Sequence, residues 1–78
     1  MYHVYILKCR DETVYVGCTE NLKERLNRHE QGWVPATKDR LPVKLEILTT
    51  FRDKLRAFRF EKYLKSGSGR AFLKRHFI

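Results

Sequence analysis

Two short strand-like segments near the N-terminus constrain the fold more than any other feature of this sequence. Tyr2–Lys8 and Thr13–Cys18 are rich in aromatic and β-branched residues, which is typical of β-strands. Because only a short stretch that includes Arg10–Glu12 lies between them, we expect an antiparallel hairpin. A three-residue loop pairs positions of like parity and places Tyr5 and Tyr15 on the same sheet face, whereas a two-residue loop places them on opposite faces.

A helix over about Leu22–Gln31 is expected next, with Thr19 or Asn21 as its N-cap and Gly32 as its stop. Four side chains fall within one arc of roughly 100° on this helix: Leu22, Arg25, Leu26 and His29. The arginine and the histidine therefore border the buried face, where a solvated charge has no reason to lie.

The remaining chain predicts a loop, a strand and two helices. Trp33–Pro42 is punctuated by prolines, and Val43–Phe51 alternates apolar and polar residues as a half-buried strand does. Asp53 can cap a helix over about Lys54–Lys65, with Glu61 at the edge of its apolar stripe. That stripe consists of Ala57, Phe60 and Leu64.

A last helix completes the chain. Gly67 is expected to end the preceding helix in a left-handed conformation, and Ser68 can cap the final helix, which runs to about His76. The order β-β-α-β-α-α predicts an α+β fold, a three-stranded antiparallel sheet flanked by helices, in a single domain over residues 1–78.

Chain length and cysteine usage exclude several classes of protein. The length of 78 residues suits one small domain. Cys9 and Cys18 do not form a disulfide framework, and we expect both to be reduced, small hydrophobic residues. No apolar run approaches the roughly 20 residues that span a bilayer, and we see no signal peptide. We therefore expect a soluble, cytoplasmic protein that does not contact membranes.

Positive charge is concentrated near the C-terminus. The net charge is +8, yet residues 1–50 carry eight Lys or Arg and seven Asp or Glu. Residues 51–78 carry nine Lys or Arg against only Asp53 and Glu61. Such a basic segment is typical of nucleic-acid-binding proteins. Charge alone is equally consistent with a solvated face that aids solubility.

Four short motifs resemble those of the GIY-YIG nuclease superfamily. His3-Val4-Tyr5 stands at the GIY position and Tyr15-Val16-Gly17 at the YIG position. Asn21–Gly32 is similar to the family's helix, and Arg59–Lys65 resembles the helix that carries its metal-binding glutamate. Each motif alone is weak, but four in order are specific. The chain looks closest to small stand-alone members related to the N-terminal domain of the excision-repair endonuclease subunit.

The resemblance implies a metal-dependent endonuclease that hydrolyses DNA phosphodiester bonds, in DNA repair or on structured DNA. One Mg²⁺ or Mn²⁺ ion would be held mainly by the Glu61 carboxylate, and a hard cation of this kind needs few protein ligands. The implied catalytic residues are Tyr5, Tyr15, Arg25, His29 and Glu61.

The residue types suit this chemistry. The Arg25 guanidinium can fork onto phosphate oxygens. A phenol titrates near about 10, so it needs a proton acceptor, for which His29 or Lys38 could serve. We assign Tyr5 as the general base and Tyr15 as the residue that positions water or phosphate. Gly17, at the end of the second strand, would allow close approach to the backbone beside the site.

Further residues are candidates for contacts with the nucleic-acid backbone. One of them, Ser68, belongs to a turn that could present N–H groups to a phosphate or could be an ordinary helix-helix connection. The candidates are Lys38, Arg40, Lys62, Lys65, Ser68, Arg70, Lys74 and Arg75.

The sequence departs from the family pattern in two places. His3 replaces the glycine of GIY, and no asparagine follows Asn27, although many members carry one near the site. Glu61 also has a simpler interpretation, an i,i+4 pair with Lys65. The alternative function is a non-catalytic nucleic-acid-binding module with the same fold. A protein partner for targeting is conceivable in either case, and the oligomeric state stays open.

Overall fold

A three-stranded sheet organises the computed structural model, which describes residues 1–76. Within these residues the regular elements, in chain order, are β1 (Tyr2–Cys9), β2 (Val14–Thr19), α1 (Leu22–Glu30), β3 (Val43–Phe51), α2 (Lys54–Lys65) and α3 (Gly67–His76). The strands pair antiparallel in the order β2-β1-β3, so β1 is central and β2 forms one edge. The predicted α+β fold and its element order are confirmed.

The β1–β2 hairpin has the expected three-residue loop. The Cys9 amide donates to the Thr13 carbonyl at 2.8 Å, and the Glu12 amide donates to the Cys9 carbonyl at 3.0 Å. Glu12 has a φ of 70°, the left-handed residue with which such loops commonly close. Tyr5 and Tyr15 consequently lie on the same sheet face, with ring centroids 6.2 Å apart.

Helices cover the two faces of the sheet differently. On one face, β1 and β2 pack against α2 and α3, and six buried side chains form the core: Val4, Ile6, Val16, Ala57, Leu64 and Leu73. The other face carries Tyr5, which is in contact with His29 of α1. Thr37, in the loop after α1, is buried against the same histidine. The second layer is therefore small and includes polar side chains.

The third strand departs from the simple alternation predicted. Ile47 pairs with Ile6, but Leu45 pairs with Leu7, so Glu46 is the extra residue of a β-bulge. The bulge turns the first half of β3 over, and Leu45 shares a face with Leu7 rather than with Ile47. Leu45 is 39% exposed as a result. A bulge depends on how neighbouring strands fit, which the alternation within one strand does not reveal.

The ends of α1 follow the sequence signals. Asn21 is the N-cap, and its side chain accepts a hydrogen bond from the Glu24 amide at 3.1 Å. Gly32 has a φ of 76°, and the Trp33 amide donates to the Arg28 carbonyl at 3.0 Å. This is a Schellman motif. The predicted stop at Gly32 is confirmed.

The junction between α2 and α3 is tighter than predicted. The hydroxyl of Ser66 accepts a hydrogen bond from the Gly69 amide at 3.2 Å, so Ser66 caps α3 and the expectation for Ser68 was wrong. Gly67 is the first residue of α3 instead of a left-handed stop. A single serine serves both helices because the chain turns without an intervening loop.

Two general expectations can be compared with the structure. Cys9 and Cys18 are free, the first buried and the second half-buried, as expected for small hydrophobic residues. Among residues 1–76, none of the helices has the length and apolar character needed to cross a membrane.

The close approach of α3 to α2 predicts that Gly69→Ala destabilises the protein. A Cβ at Gly69 would overlap the Tyr63 carbonyl and lie 2.6 Å from the Leu64 Cα, and backbone atoms cannot rotate away. We expect the free energy of unfolding in urea to fall by about 2 kcal/mol or more. Gly67→Ala is the matched control, because its Cβ meets nothing within 4 Å. Equal losses in the two variants would contradict this packing.

Candidate active site

A buried chain of hydrogen bonds joins β1, α1 and the loop that follows α1. The Tyr5 hydroxyl lies 3.0 Å from Nε2 of His29, and Nδ1 of the same ring lies 2.8 Å from Oγ1 of Thr37. All three residues are 0% exposed. The helical phase of α1 placed His29 at the border of the buried face, and the structure places it fully inside.

The two tyrosines of the site differ in exposure. Tyr5 is fully buried, whereas Tyr15 is half-buried. The Tyr15 ring centroid lies 5.0 Å from that of His29, so the three rings form one cluster. Gly17 pairs with Tyr5, and a Cβ there would lie 2.8 Å from Cε1 of the Tyr5 ring. The close approach at Gly17 is therefore made by the Tyr5 ring.

Burial keeps the tyrosine-histidine pair uncharged at neutral pH. Burial raises the pKa of Tyr5 to about 12, and the neighbouring Tyr15 adds to this, while the Arg25 guanidinium acts in the opposite direction. Burial also lowers the pKa of His29 below its ordinary 6.5, with Arg25 and Arg28 adding to the effect. The 3.0 Å contact thus joins a neutral phenol and a neutral imidazole.

Arg25 and Glu61 approach the same edge of the sheet from opposite faces. Arg25 on α1 and Glu61 on α2 are both half-buried. Cys18 of β2 lies within the electrostatic reach of both: burial raises the pKa of the Cys18 thiol, the Glu61 carboxylate raises it further, and Arg25 lowers it. Because β2 is an edge strand, groups on the two faces can reach a common rim beside Cys18.

Glu61 is the residue through which a divalent cation would be held. No cluster of three or more His, Cys, Asp or Glu side chains suited to a metal occurs within residues 1–76. One carboxylate still fits Mg²⁺, which keeps several waters and takes phosphate oxygens as ligands. The Lys65 ammonium lies 3.1 Å from the Glu61 carboxylate, so positive charge is already accommodated there. The i,i+4 ion pair that offers a simpler interpretation of Glu61 is therefore formed as well.

A basic groove runs along the outer side of β2, beside the tyrosine cluster. It has a volume of about 680 Å³, and Val14, Val16, Leu64 and Leu73 contribute to its walls. Its lining includes the carboxylate of Glu12 and, among the predicted site residues, Tyr15, Arg40, Lys65, Arg70 and Lys74. Half of the eight residues predicted to bind nucleic acid therefore share one groove with a catalytic candidate.

The other four candidates for nucleic-acid contacts lie elsewhere. Ser68 and Arg75 border a separate hollow between α2 and α3, together with Tyr63. Lys38 and Lys62 are exposed, and neither belongs to the lining of the basic groove. Neighbouring cations in sequence thus point to different surfaces, because successive residues of a helix are about 100° apart.

Arg40 has a structural role that the sequence did not reveal. Its guanidinium donates to the Ala36 carbonyl at 3.1 Å and 2.8 Å and also to the Thr13 hydroxyl. These contacts fasten the loop after α1 to the β1–β2 hairpin. Of its five N–H hydrogens, the remaining ones are available to a ligand in the groove.

His3, which replaces the glycine of the GIY motif, has a hydrogen-bond partner. Nδ1 of His3 lies 2.9 Å from the Thr50 hydroxyl, and the two residues are paired across β1 and β3. His3 is therefore accommodated within the sheet, away from the groove on the β2 side.

Thr37 is the residue of this site that sequence reasoning missed. It lies eight residues beyond His29, in an irregular loop, where neither helical nor strand periodicity applies. Its burial and its contact with His29 emerge only when the loop folds back over the sheet.

The shifted pKa values predict a pH optimum of stability with defined limits. His29 takes up a proton more readily in the unfolded protein. Its contribution to the free energy of unfolding is therefore fully present above pH 6.5 and is lost as the pH falls below that value. Tyr5 loses its proton more readily when unfolded, so stability also falls from pH 10 toward 12. Urea unfolding across this range measures both limits. We expect His29→Gln to flatten the slope just below pH 6.5 and Tyr5→Phe to flatten the alkaline one. Slopes unchanged by these substitutions would contradict the assignment.

Comparisons with known proteins identify the family of this chain. Residues 1–75 match the GIY-YIG catalytic domain family. The UPF0213 protein CPE1444 of Clostridium perfringens is 44% identical over 66 residues, which cover 83% of this chain and 71% of that protein. The UPF0213 protein SAG0778 of Streptococcus agalactiae is 38% identical over 78 residues, which cover 95% and 89%. The solution NMR structure of the UPF0213 protein BH0048 from Bacillus halodurans has a TM-score of 0.61 at 32% identity, covering 96% of this chain and 84% of that one. The chain therefore belongs to the GIY-YIG nuclease superfamily.

Proposed function

We propose that the protein is a divalent-metal-dependent endonuclease that hydrolyses DNA phosphodiester bonds. The observation that carries this proposal is the position of Tyr15 in the wall of a groove lined by four cationic side chains. A polyanionic backbone drawn into this groove would bring a phosphate to a phenol that has a buried imidazole behind it. Family membership makes nuclease chemistry the natural use of that arrangement.

The exposure of the two phenols favours a division of roles opposite to the one expected from the sequence. A general base must lie within hydrogen-bond distance of the water it deprotonates. Tyr5 is 0% exposed, while Tyr15 is half-buried and lines the groove. We therefore place Tyr15 at the attacking water and Tyr5 behind it, as the link to His29.

Arg25 and Glu61 complete the proposed active site from either side of β2. The Arg25 guanidinium would bind the non-bridging phosphate oxygens and offset charge that develops on them. The Glu61 carboxylate would hold one Mg²⁺ or Mn²⁺ ion, which supplies neutralising charge and lowers the pKa of bound water. Lys65, which pairs with Glu61 and lines the groove, would contact the DNA backbone.

A nicking assay on supercoiled plasmid DNA tests the catalytic assignments. With Mg²⁺ or Mn²⁺ we expect nicking that EDTA abolishes. Tyr15→Phe should lower the rate by about 10²-fold or more, because the phenol contacts the reacting water. Tyr5→Phe should lower it less. Tyr63→Phe is the control, since Tyr63 lies on the separate hollow between α2 and α3. A greater loss in Tyr5→Phe than in Tyr15→Phe would restore the original division of roles.

The same assay separates the enzyme from a non-catalytic binding module. Glu61→Gln and Arg25→Ala should abolish nicking, while DNA mobility shifts persist in Glu61→Gln. The melting temperature of Glu61→Gln should stay near that of the wild type, because an i,i+4 helix pair contributes only about 0.3–0.5 kcal/mol. If neither protein nicks while both bind DNA, the binding module is the correct function; if both nick alike, Glu61 does not hold the metal.

Two adjacent cationic residues, Lys74 and Arg75, test whether DNA binds in the basic groove. Lys74 lines it, whereas Arg75 borders the separate hollow. Measured by fluorescence anisotropy over a salt series, Lys74→Ala should weaken DNA binding and reduce the slope of log K against log[salt] by about 1. Arg75→Ala should change neither quantity. Equal losses in both variants would show that DNA does not lie in this groove.

A further inference from the structure

We propose that Thr37 is a positioning residue that fixes the tautomer of His29, so that Nε2 of the imidazole can accept the proton of the Tyr5 hydroxyl. This inference rests on the proposed nuclease function and adds to it the acceptor at the end of the proton path. Thr37 acts through His29 and does not contact the substrate.

The burial of the site means that two contacts decide the tautomer. A neutral imidazole carries one hydrogen, on either Nδ1 or Nε2. Here Nδ1 faces the Thr37 hydroxyl at 2.8 Å and Nε2 faces the Tyr5 hydroxyl at 3.0 Å. Because all three side chains are 0% exposed, bulk water does not compete for either nitrogen.

The surroundings of Tyr5 set the direction of these bonds. The phenol has a single hydrogen, and the nearby Arg25 guanidinium can only donate. The remaining neighbour, the Tyr15 phenol, is a much weaker acceptor than an imidazole nitrogen. Tyr5 therefore donates to Nε2 of His29. The hydrogen of the ring is then on Nδ1, which donates to Oγ1 of Thr37.

Backbone hydrogen bonds hold Thr37 beside His29. The Thr37 amide donates to the Val34 carbonyl at 3.0 Å, and the Thr37 carbonyl accepts from the Arg40 amide at 2.9 Å. Arg40 is itself fastened to Ala36 and to the hairpin residue Thr13. Oγ1 of Thr37 is thus in place to accept the Nδ1 hydrogen that the direction of the Tyr5 bond leaves on the ring, and this bond stabilises that tautomer.

The proton path that follows from this arrangement is balanced. As water attacks phosphorus, its proton is taken up by the tyrosine pair, in which Tyr15 faces the groove, and the Tyr5 hydroxyl hydrogen passes along its 3.0 Å hydrogen bond to Nε2 of His29. A P–O bond forms, the bond to the leaving oxygen breaks, and that oxygen takes a proton from solvent. The resulting imidazolium keeps its Nδ1–H bond to Thr37.

The groups around His29 keep it unprotonated at neutral pH, so that Nε2 carries a lone pair. Arg25 and Arg28 face it from its own helix, Tyr5 from β1, Tyr15 from β2, and Thr37 from the loop. No carboxylate among the described residues appears as a partner of the ring. The nicking rate should therefore rise with pH through an acidic limb whose midpoint lies below pH 6.5.

The tautomer can be measured without any catalytic turnover. Long-range ¹H–¹⁵N spectra of histidine-labelled protein at pH 7.5 distinguish protonated from unprotonated ring nitrogens, with the exposed His76 as reference. We expect a protonated Nδ1 and a bare Nε2 on His29 in the wild type and in Thr37→Ser. Thr37→Val should lose this preference. A wild-type ring with hydrogen on Nε2, or an unchanged ring in Thr37→Val, would overturn the proposal.

Kinetic measurements distinguish a positioning role of Thr37 from a packing role. Thr37→Val keeps the shape of the side chain but removes the hydroxyl, so we expect kcat to fall roughly 10- to 100-fold with KM unchanged. Thr37→Ser should recover most of the rate. If Thr37→Ser is as slow as Thr37→Val while both give the circular dichroism spectrum of the wild type, the threonine acts through packing and the proposal fails. A wild type that does not nick DNA refutes the nuclease function instead, and the tautomer measured by NMR still decides the role of Thr37.

Discussion

The hydrogen bond between the Tyr5 hydroxyl and Nε2 of His29 is the contact on which the active-site side of this protein depends. Both groups are fully buried, and a buried polar group without a partner costs about 1–3 kcal/mol. The bond therefore fixes the position and rotation of α1 against the sheet. Arg25 precedes His29 by one helical turn, so the same contact directs the guanidinium toward Tyr5 and the edge strand. Gly17 belongs to this constraint as well, because any Cβ there would displace the Tyr5 ring.

The edge position of β2 determines how residues from two faces serve one site. Tyr15 projects from the face covered by α1, whereas Glu61 and Lys65 belong to α2 on the opposite face. In a central strand these groups would be separated by the sheet. At an edge, both faces open onto the same groove, and Tyr15 and Lys65 line it together. In the proposed active site, this edge would present a phenol and several cations to one phosphate.

Local patterns predicted much of this arrangement because they depend on neighbours in the chain. The loop length gave the shared face of Tyr5 and Tyr15, and helical phase placed Arg25 and His29 at a buried border. What could not be predicted depends on contacts between distant segments. The bulge in β3, the burial of Thr37 and the overlap that excludes a side chain at position 69 arise only when elements pack. The recognition of the family supplied the roles of the site residues, which periodicity alone would not have assigned.

The absence of an asparagine after Asn27 raises the question of what replaces it in assisting the tyrosines. Burial raises the pKa of Tyr5 to about 12, so Tyr5 gives up its proton only to an acceptor in direct contact, and the neutral imidazole of His29 is such an acceptor. The imidazole must present a lone pair to the phenol, and in a dry interior only a second fixed partner can ensure that. Thr37 meets this requirement from a loop that Arg40 fastens to the hairpin. In the proposed reaction, the stability of that loop and the protonation state of His29 are therefore parts of the same catalytic requirement.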